Sequence, residues 1–170
     1  MFMVPVSNPA IKRTIRPLYA QHQATTWAGF LDPNWDRSFD ILPGCVMTRL
    51  SKEVFAPYTG QANAKPFGLS AFFMAPRLGV EEVTGTGQNL FTVWVGNDDA
   101  EFEILAPAFD TTADWTLPTN GSIKLLTGNS QAKLTPAGAT VYNAIAELID
   151  VVGTDKIVIR PFRPTPGTGA

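Results

Sequence analysis

Asn89–Asp110, NLFTVWVGNDDAEFEILAPAFD, constrains this chain more than any other stretch. Phe91, Val93 and Val95 alternate with Thr92 and Trp94. Phe102 and Ile104 alternate with Glu101 and Glu103. Period-2 alternation marks strands with one buried face. Gly96-Asn97-Asp98 lies between them, and Gly and Asn supply the backbone geometry of tight loops. The pattern predicts a β-hairpin with carboxylates on its solvated side.

The rest of the chain fits a β-rich domain. Gly and Pro number 14 each in 170 residues, which favours turns over long helices. Short strands are predicted over Cys45–Leu50, Val54–Tyr58, Gly68–Met74, Ile123–Leu126, Ala132–Leu134 and Lys156–Arg160. One helix is predicted in the C-terminal half. Thr135 suits an N-cap and Pro136 the first helical position. Val141, Ile145, Leu148, Ile149 and Val152 follow at helical spacing, and Gly153 suits the position past the end. The expected class is mainly β with that single helix (α+β). The expected shape is a small β-barrel or β-tulip-like domain with an extended N-terminal arm.

The arm is residues 1–39. Prolines at positions 5, 9, 17 and 33 deny it helices and central strands. Yet it carries Ile11, Ile15, Leu18, Tyr19, Trp27, Trp35 and Phe39, which a solvated linker would lack. Such a segment must find cover, on its own body or on a neighbour as an added strand. Residues 40–162 form the expected body, and 163–170 a proline- and glycine-rich tail.

Charge is divided along the chain. Residues 1–31 hold Lys12, Arg13 and Arg16 and no carboxylate, while the remainder has 10 basic against 15 acidic residues. The net charge of −2 argues against bulk attraction to nucleic acid. Charged residues are only 16% of the chain, against roughly 25% in typical domains, which suits a surface partly covered by partners.

No catalytic constellation emerges. Cys45 and His22 are single residues of their kind. Cys45, beside Val46 and Met47, reads as a small core residue. The acids at Glu81-Glu82, Asp98-Asp99 and Glu101/Glu103 match a calcium loop only loosely. Gly85-Thr86-Gly87 lacks the register of a phosphate-binding motif, and no nucleophile elbow is present. Asn120-Gly121-Ser122 reads as a turn. No apolar run approaches the roughly 18 residues of a membrane span. Prolines stand where a signal peptide would have its apolar core, so a soluble protein, intracellular at synthesis, is expected. Trp94 shares a face with Thr92, and if exposed it would mark an interface.

The order of PGCVMTRLSKEVFAPY, PFGLSAFF, FTVWVG, FEILAPAF, the Thr-Pro start and KIVIR resembles the lambda-type bacteriophage head decoration (capsid-stabilising, cement) proteins over about residues 40–160. The resemblance implies a structural virion protein on the capsid outer surface. Its partners would be the major capsid protein and itself, as a homotrimer, with no cofactor. The arm would then bind by strand addition. Ile11, Ile15 and Leu18 would be its anchors, with Tyr19, Trp27, Trp35 and Trp94 as further contacts. Lys12, Arg13 and Arg16 would face acidic capsid. Two other classes fit the sequence: a tail or head–tail joining protein, and a small-molecule-binding or hydrolytic β-barrel.

Overall fold

The computed structural model describes residues 13–19, 24–74 and 90–164. They form eleven strands: β1 (Ile15–Pro17), β2 (Thr25–Leu31), β3 (Val46–Arg49), β4 (Val54–Pro57), β5 (Pro66–Ser70), β6 (Leu90–Val95), β7 (Phe102–Leu105), β8 (Leu125–Gly128), β9 (Leu134–Thr135), β10 (Ala146–Val152) and β11 (Lys156–Pro161). Strands β2-β4-β3-β5-β6 close into a barrel. The others form a six-stranded sheet in the order β1-β7-β11-β10-β8-β9.

The described residues contain no α-helix, so the expected α+β class gives way to an all-β one. The segment read as a helix is β9, a run of turns, and the β10–β11 hairpin. Thr135 and Pro136 use their capping chemistry for turns instead. The Thr135 hydroxyl accepts from the Ala137 N–H, and the Pro136 carbonyl accepts from the Ala139 N–H. Asn143 ties the same stretch together, donating to the Gly138 carbonyl and accepting from the Thr140 N–H. Further on, the expected stripe breaks: Leu148 is buried but Val152 is 45% exposed, and a β-bulge falls between Leu148 and Asp150. Ala146 and Leu148 are buried two residues apart, and Val151 packs on the core three residues later. The bulge shifts the buried side of β10 by one residue, so Val151 rather than Val152 faces the core. Val141 and Tyr142, placed on or beside the expected buried stripe, are 77% and 82% exposed. Gly153, at φ +65°, turns the hairpin rather than ending a helix.

The hairpin expected within Asn89–Asp110 is also corrected. Both strands exist, but they do not pair with each other. β6 pairs with β2 and β5 in the barrel, and β7 with β1 and β11 in the sheet. Residues 96–101 carry the chain from one unit to the other. Asn97 shapes this crossover by accepting from the Asp99 and Ala100 N–H groups. Asp98, at φ +70°, donates its N–H to the Pro161 carbonyl.

One core runs through both units. Phe55, Phe91, Met47 and Leu69 fill the barrel, and Phe102, Ile104, Leu126, Ile157 and Ile159 line the sheet. Trp94, on the outer face of β6, meets Phe102 edge-on at 5.4 Å between ring centroids. Two glycines permit close backbone approach across the seam. A Cβ on Gly96 would stand 2.6 Å from the Pro161 carbonyl, and one on Gly128 would strike the Tyr58 carbonyl oxygen.

Within the stretch expected to be an arm, β1 lies on the edge of the sheet and β2 closes the barrel. Leu31, Trp35 and Phe39 are buried in the body's own core.

Candidate docking surfaces

Two surface features concentrate exposed apolar area and charged side chains. The first is a groove of about 1180 Å³ between the mouth of the barrel and the end of the sheet. Trp27 stands on β2 at that mouth, 42% exposed. Its ring meets Phe67 edge-on at 5.9 Å, and Phe67 stacks on Phe55 at 5.8 Å. The Arg49 guanidinium lies 4.8 Å from the Trp27 centroid and 5.3 Å from that of Phe67. Each such cation–π contact contributes about 0.5–1 kcal/mol at an exposed site. Arg49 Nε also donates to the Ser51 carbonyl, which fixes the guanidinium over the rings. The opposite wall carries Val141, Tyr142 and Phe162, and Leu50 adds an apolar side chain that is 55% exposed.

The second feature is the β1 edge. Arg13, Ile15, Arg16, Glu103, Leu105 and Lys156 surround a groove of about 460 Å³. β1 pairs antiparallel with β7, with Arg16 opposite Glu103. Arg16 Nε approaches Glu103 Oε1 at 2.8 Å, and Nη2 donates to Oε2 at 3.2 Å. This two-point geometry is the strong form of an ion pair. Glu103 is buried while Arg16 stays exposed, so the arginine covers the carboxylate and holds β1 down. Thr14 donates its hydroxyl to the Pro43 carbonyl, a second staple.

The carboxylates read as the wet side of a sheet are therefore covered. Glu103 belongs to Arg16. Glu101 accepts from Arg160 at 2.6 Å, and Arg160 also donates to Glu147 at 3.0 Å. The Glu101 hydrogen bond, ahead of the opposing effect of burial, holds the Arg160 pKa above its ordinary value. Among the described residues no group of three His, Cys, Asp or Glu side chains is placed to hold a metal.

The sequence-predicted contact residues divide between these places. Ile15, Arg16 and Leu18 pack on or pair with the chain's own sheet. Arg13 and Tyr19 are exposed, Tyr19 by 69%. Trp27 lines the large groove, Trp35 is buried, and Trp94 sits at the seam. Ile11, Lys12, His22, Glu81, Glu82 and Gly85–Gly87 lie outside the described residues. Arg49, Leu50, Phe67, Val141, Tyr142 and Arg163 were not singled out from the sequence. The first two looked like a strand end, and Val141 was absorbed into the expected helix.

The family model for phage cement protein matches residues 1–170. The chain belongs to the phage cement protein family. No curated protein and no solved structure matches it, so the likeness to the lambda type rests on the order of sequence signals alone. The cement protein is a structural, capsid-binding component of the virion. Its described surface offers an aromatic groove and a strand edge as docking features.

Proposed function

We propose that this cement protein binds the outer surface of the capsid and clamps neighbouring major capsid proteins, as a homotrimer, through the β1 edge and the residues preceding it. The observation that carries this reading is the anchoring of β1. It is tied to β7 by backbone pairing and to Glu103 by Arg16. Its other side has no partner strand among the described residues. A capsid strand added there would gain main-chain hydrogen bonds. Arg13 and Lys156 lie beside it to meet acidic groups. Load on residues 1–12 would pass through β1 into the six-stranded sheet.

A clamp that binds only the assembled lattice stabilises that lattice by mass action, about 2.7 kcal/mol at a concentration 100 times Kd. Multiple contacts per oligomer add avidity. Exposed Tyr19 and Trp27 remain available as contacts. Deleting residues 2–12 leaves Thr14 and β1 in place, so the body should fold. The deletion is expected to lower occupancy on purified shells and to lower the temperature at which filled particles release DNA. Unchanged occupancy with unchanged release would end the assignment of this edge.

A further inference from the structure

We infer that the Asn120–Gly121 turn is a site of self-modification, at which the folded chain converts its own asparagine into aspartate and isoaspartate. The reaction is independent of capsid attachment, and water is its only co-reactant. It rests on the state of the two reacting groups, on the turn that holds them and on the contrast with the other asparagines.

Asn120 stands in the loop between β7 and β8, and it is the one asparagine of the chain that glycine follows. The Gly121 backbone nitrogen is the nucleophile, and no side chain on Gly121 shields it. It attacks the carbonyl carbon of the Asn120 carboxamide. A new C–N bond closes a five-membered succinimide, the bond to the amide nitrogen breaks, and ammonia leaves with the proton from the Gly121 N–H. One water then opens either C–N bond of the ring. Opening at one gives aspartate. Opening at the other gives isoaspartate, whose main chain runs through the former side-chain carbon.

Neither reacting group is held in place. Among the described residues nothing bonds to the Asn120 carboxamide or to the Gly121 N–H. Asn120 and Gly121 have φ of +59° and +74°, the signature of a type I′ turn. One hydrogen bond closes that turn, from the Ser122 N–H to the Thr119 carbonyl at 3.2 Å. Residues 119 to 122 are all exposed, and a Cβ on Gly121 would meet nothing within 4 Å. Exposed backbone held this weakly opens at little cost in free energy, so the peptide can rotate its nitrogen onto the side chain without disturbing the core.

The other described asparagines are each tied at the nucleophile or at the carboxamide. After Asn34, the Trp35 N–H donates to the Asp32 carbonyl, and after Asn63 the Ala64 N–H donates to the Gln61 carbonyl. Asn97 is held at both groups: the Asp98 N–H donates to the Pro161 carbonyl, and its own carboxamide accepts from Asp99 and Ala100. The Asn129 carboxamide accepts from the Gln131 and Lys133 N–H groups. That of Asn143 accepts from the Thr140 N–H and donates to the Gly138 carbonyl. Asn120 alone among them leaves both groups free. Each conversion adds one carboxylate to a chain of net charge −2, and the isoaspartyl product lengthens the backbone inside the turn.

Peptide mass spectrometry of the full chain, held folded in mildly alkaline buffer and digested at intervals, tests this. Asn120 is expected to convert at least tenfold faster than Asn34, Asn63, Asn97, Asn129 or Asn143, and to give two isomeric products. It should take up one heavy oxygen when the buffer is made in heavy-oxygen water. The rate should rise with pH, because base removes the Gly121 N–H proton. Enzymatic methyl labelling of isoaspartate supplies a second readout. Asn120→Gly removes the amide and keeps a residue suited to positive φ, so it should melt as wild type does and lose the label. An Asn120 that stays intact, or that converts less than tenfold faster than the tied asparagines, would overturn the inference. Label surviving undiminished in Asn120→Gly would overturn it too.

Discussion

The seam between barrel and sheet depends on Gly96, and Gly96→Ala should expose that dependence. Gly96 follows β6 and packs against the end of β11. A Cβ there would collide with the Phe162 carbonyl oxygen and stand 2.6 Å from the carbonyl carbon and oxygen of Pro161. All the struck atoms are backbone, so no rotamer change relieves the clash. The struck segment is also pinned. The Phe162 N–H donates to the Ile145 carbonyl at 2.9 Å, and the Pro161 carbonyl accepts from the Asp98 N–H. Overpacking a tight site costs about 1–3 kcal/mol, and pinned backbone places this one in the upper half, about 2–3 kcal/mol. For a chain of this length each kcal/mol moves Tm by roughly 2–4 °C, so a fall of about 5–10 °C is expected. Urea and thermal melts followed by tryptophan fluorescence and circular dichroism would measure it. Trp94 reports the seam directly through its contact with Phe102. A variant melting within about 2 °C of wild type would refute the close-packed seam.

Arg160 bridges Glu101 and Glu147, whose side chains are only 14% and 17% exposed. Arg160→Ala should cost about 1–3 kcal/mol in urea unfolding, below the roughly 3–5 kcal/mol of a fully buried pair because the guanidinium is 35% exposed. Arg160→Lys should restore only part, since an ammonium lacks the fork that reaches both carboxylates. Cys45 is buried, and desolvation pushes its thiol up from 9.0 to about 12. It should react with a thiol reagent only as fast as the protein opens; rapid labelling of native protein would contradict its burial. The folded pKa is raised, so this contribution to stability is fully present below about pH 9 and is lost as pH rises towards 12. The Cys45→Ala variant should show a flatter decline in denaturant stability over that window.

Much of the strand content was legible because it sits where one face is buried and the other polar. Phe91/Val93 and Phe102/Ile104 are core, as their alternation requires. Partners were harder to read than strands. A Gly-Asn turn between two alternating runs favours a hairpin locally, yet six residues are enough to cross between units, and cross-sheet contacts such as Trp94 on Phe102 decide the matter. β2 was hidden for a different reason. Its outward residues include Ala28 and Phe30, so the polar half of the alternation is missing, and Gly29 sits where Phe55 leaves no room for a side chain. The false helix came from Thr135-Pro136, whose capping chemistry serves turns here, and from the exposed apolar residues Val141 and Val152, which sequence spacing alone cannot tell from a buried stripe. The groove was illegible because its walls come from β2, the β3–β4 turn, β5 and the turns before β10, which are adjacent only after the barrel closes.

Closure also decides where a partner strand can be added. A barrel has no free edges, so the edges belong to the sheet, at β1 and β9. β9 is two residues long and is covered by the preceding chain, through Asp110 N–H to the Leu134 carbonyl and a parallel bridge from Phe109. That leaves β1 as the edge open to strand addition among the described residues. The register places it with care. Ile15 lies opposite Ile104 and Lys156 opposite Leu105, whereas Phe162 follows the far end of β11. The β1 groove and the aromatic groove are thus separated along β11, about 20 Å for its six residues. Two surfaces so separated can each be occupied without competing for the same residues. The pairing of β1 with β7, rather than with a strand of the barrel, is what keeps them apart.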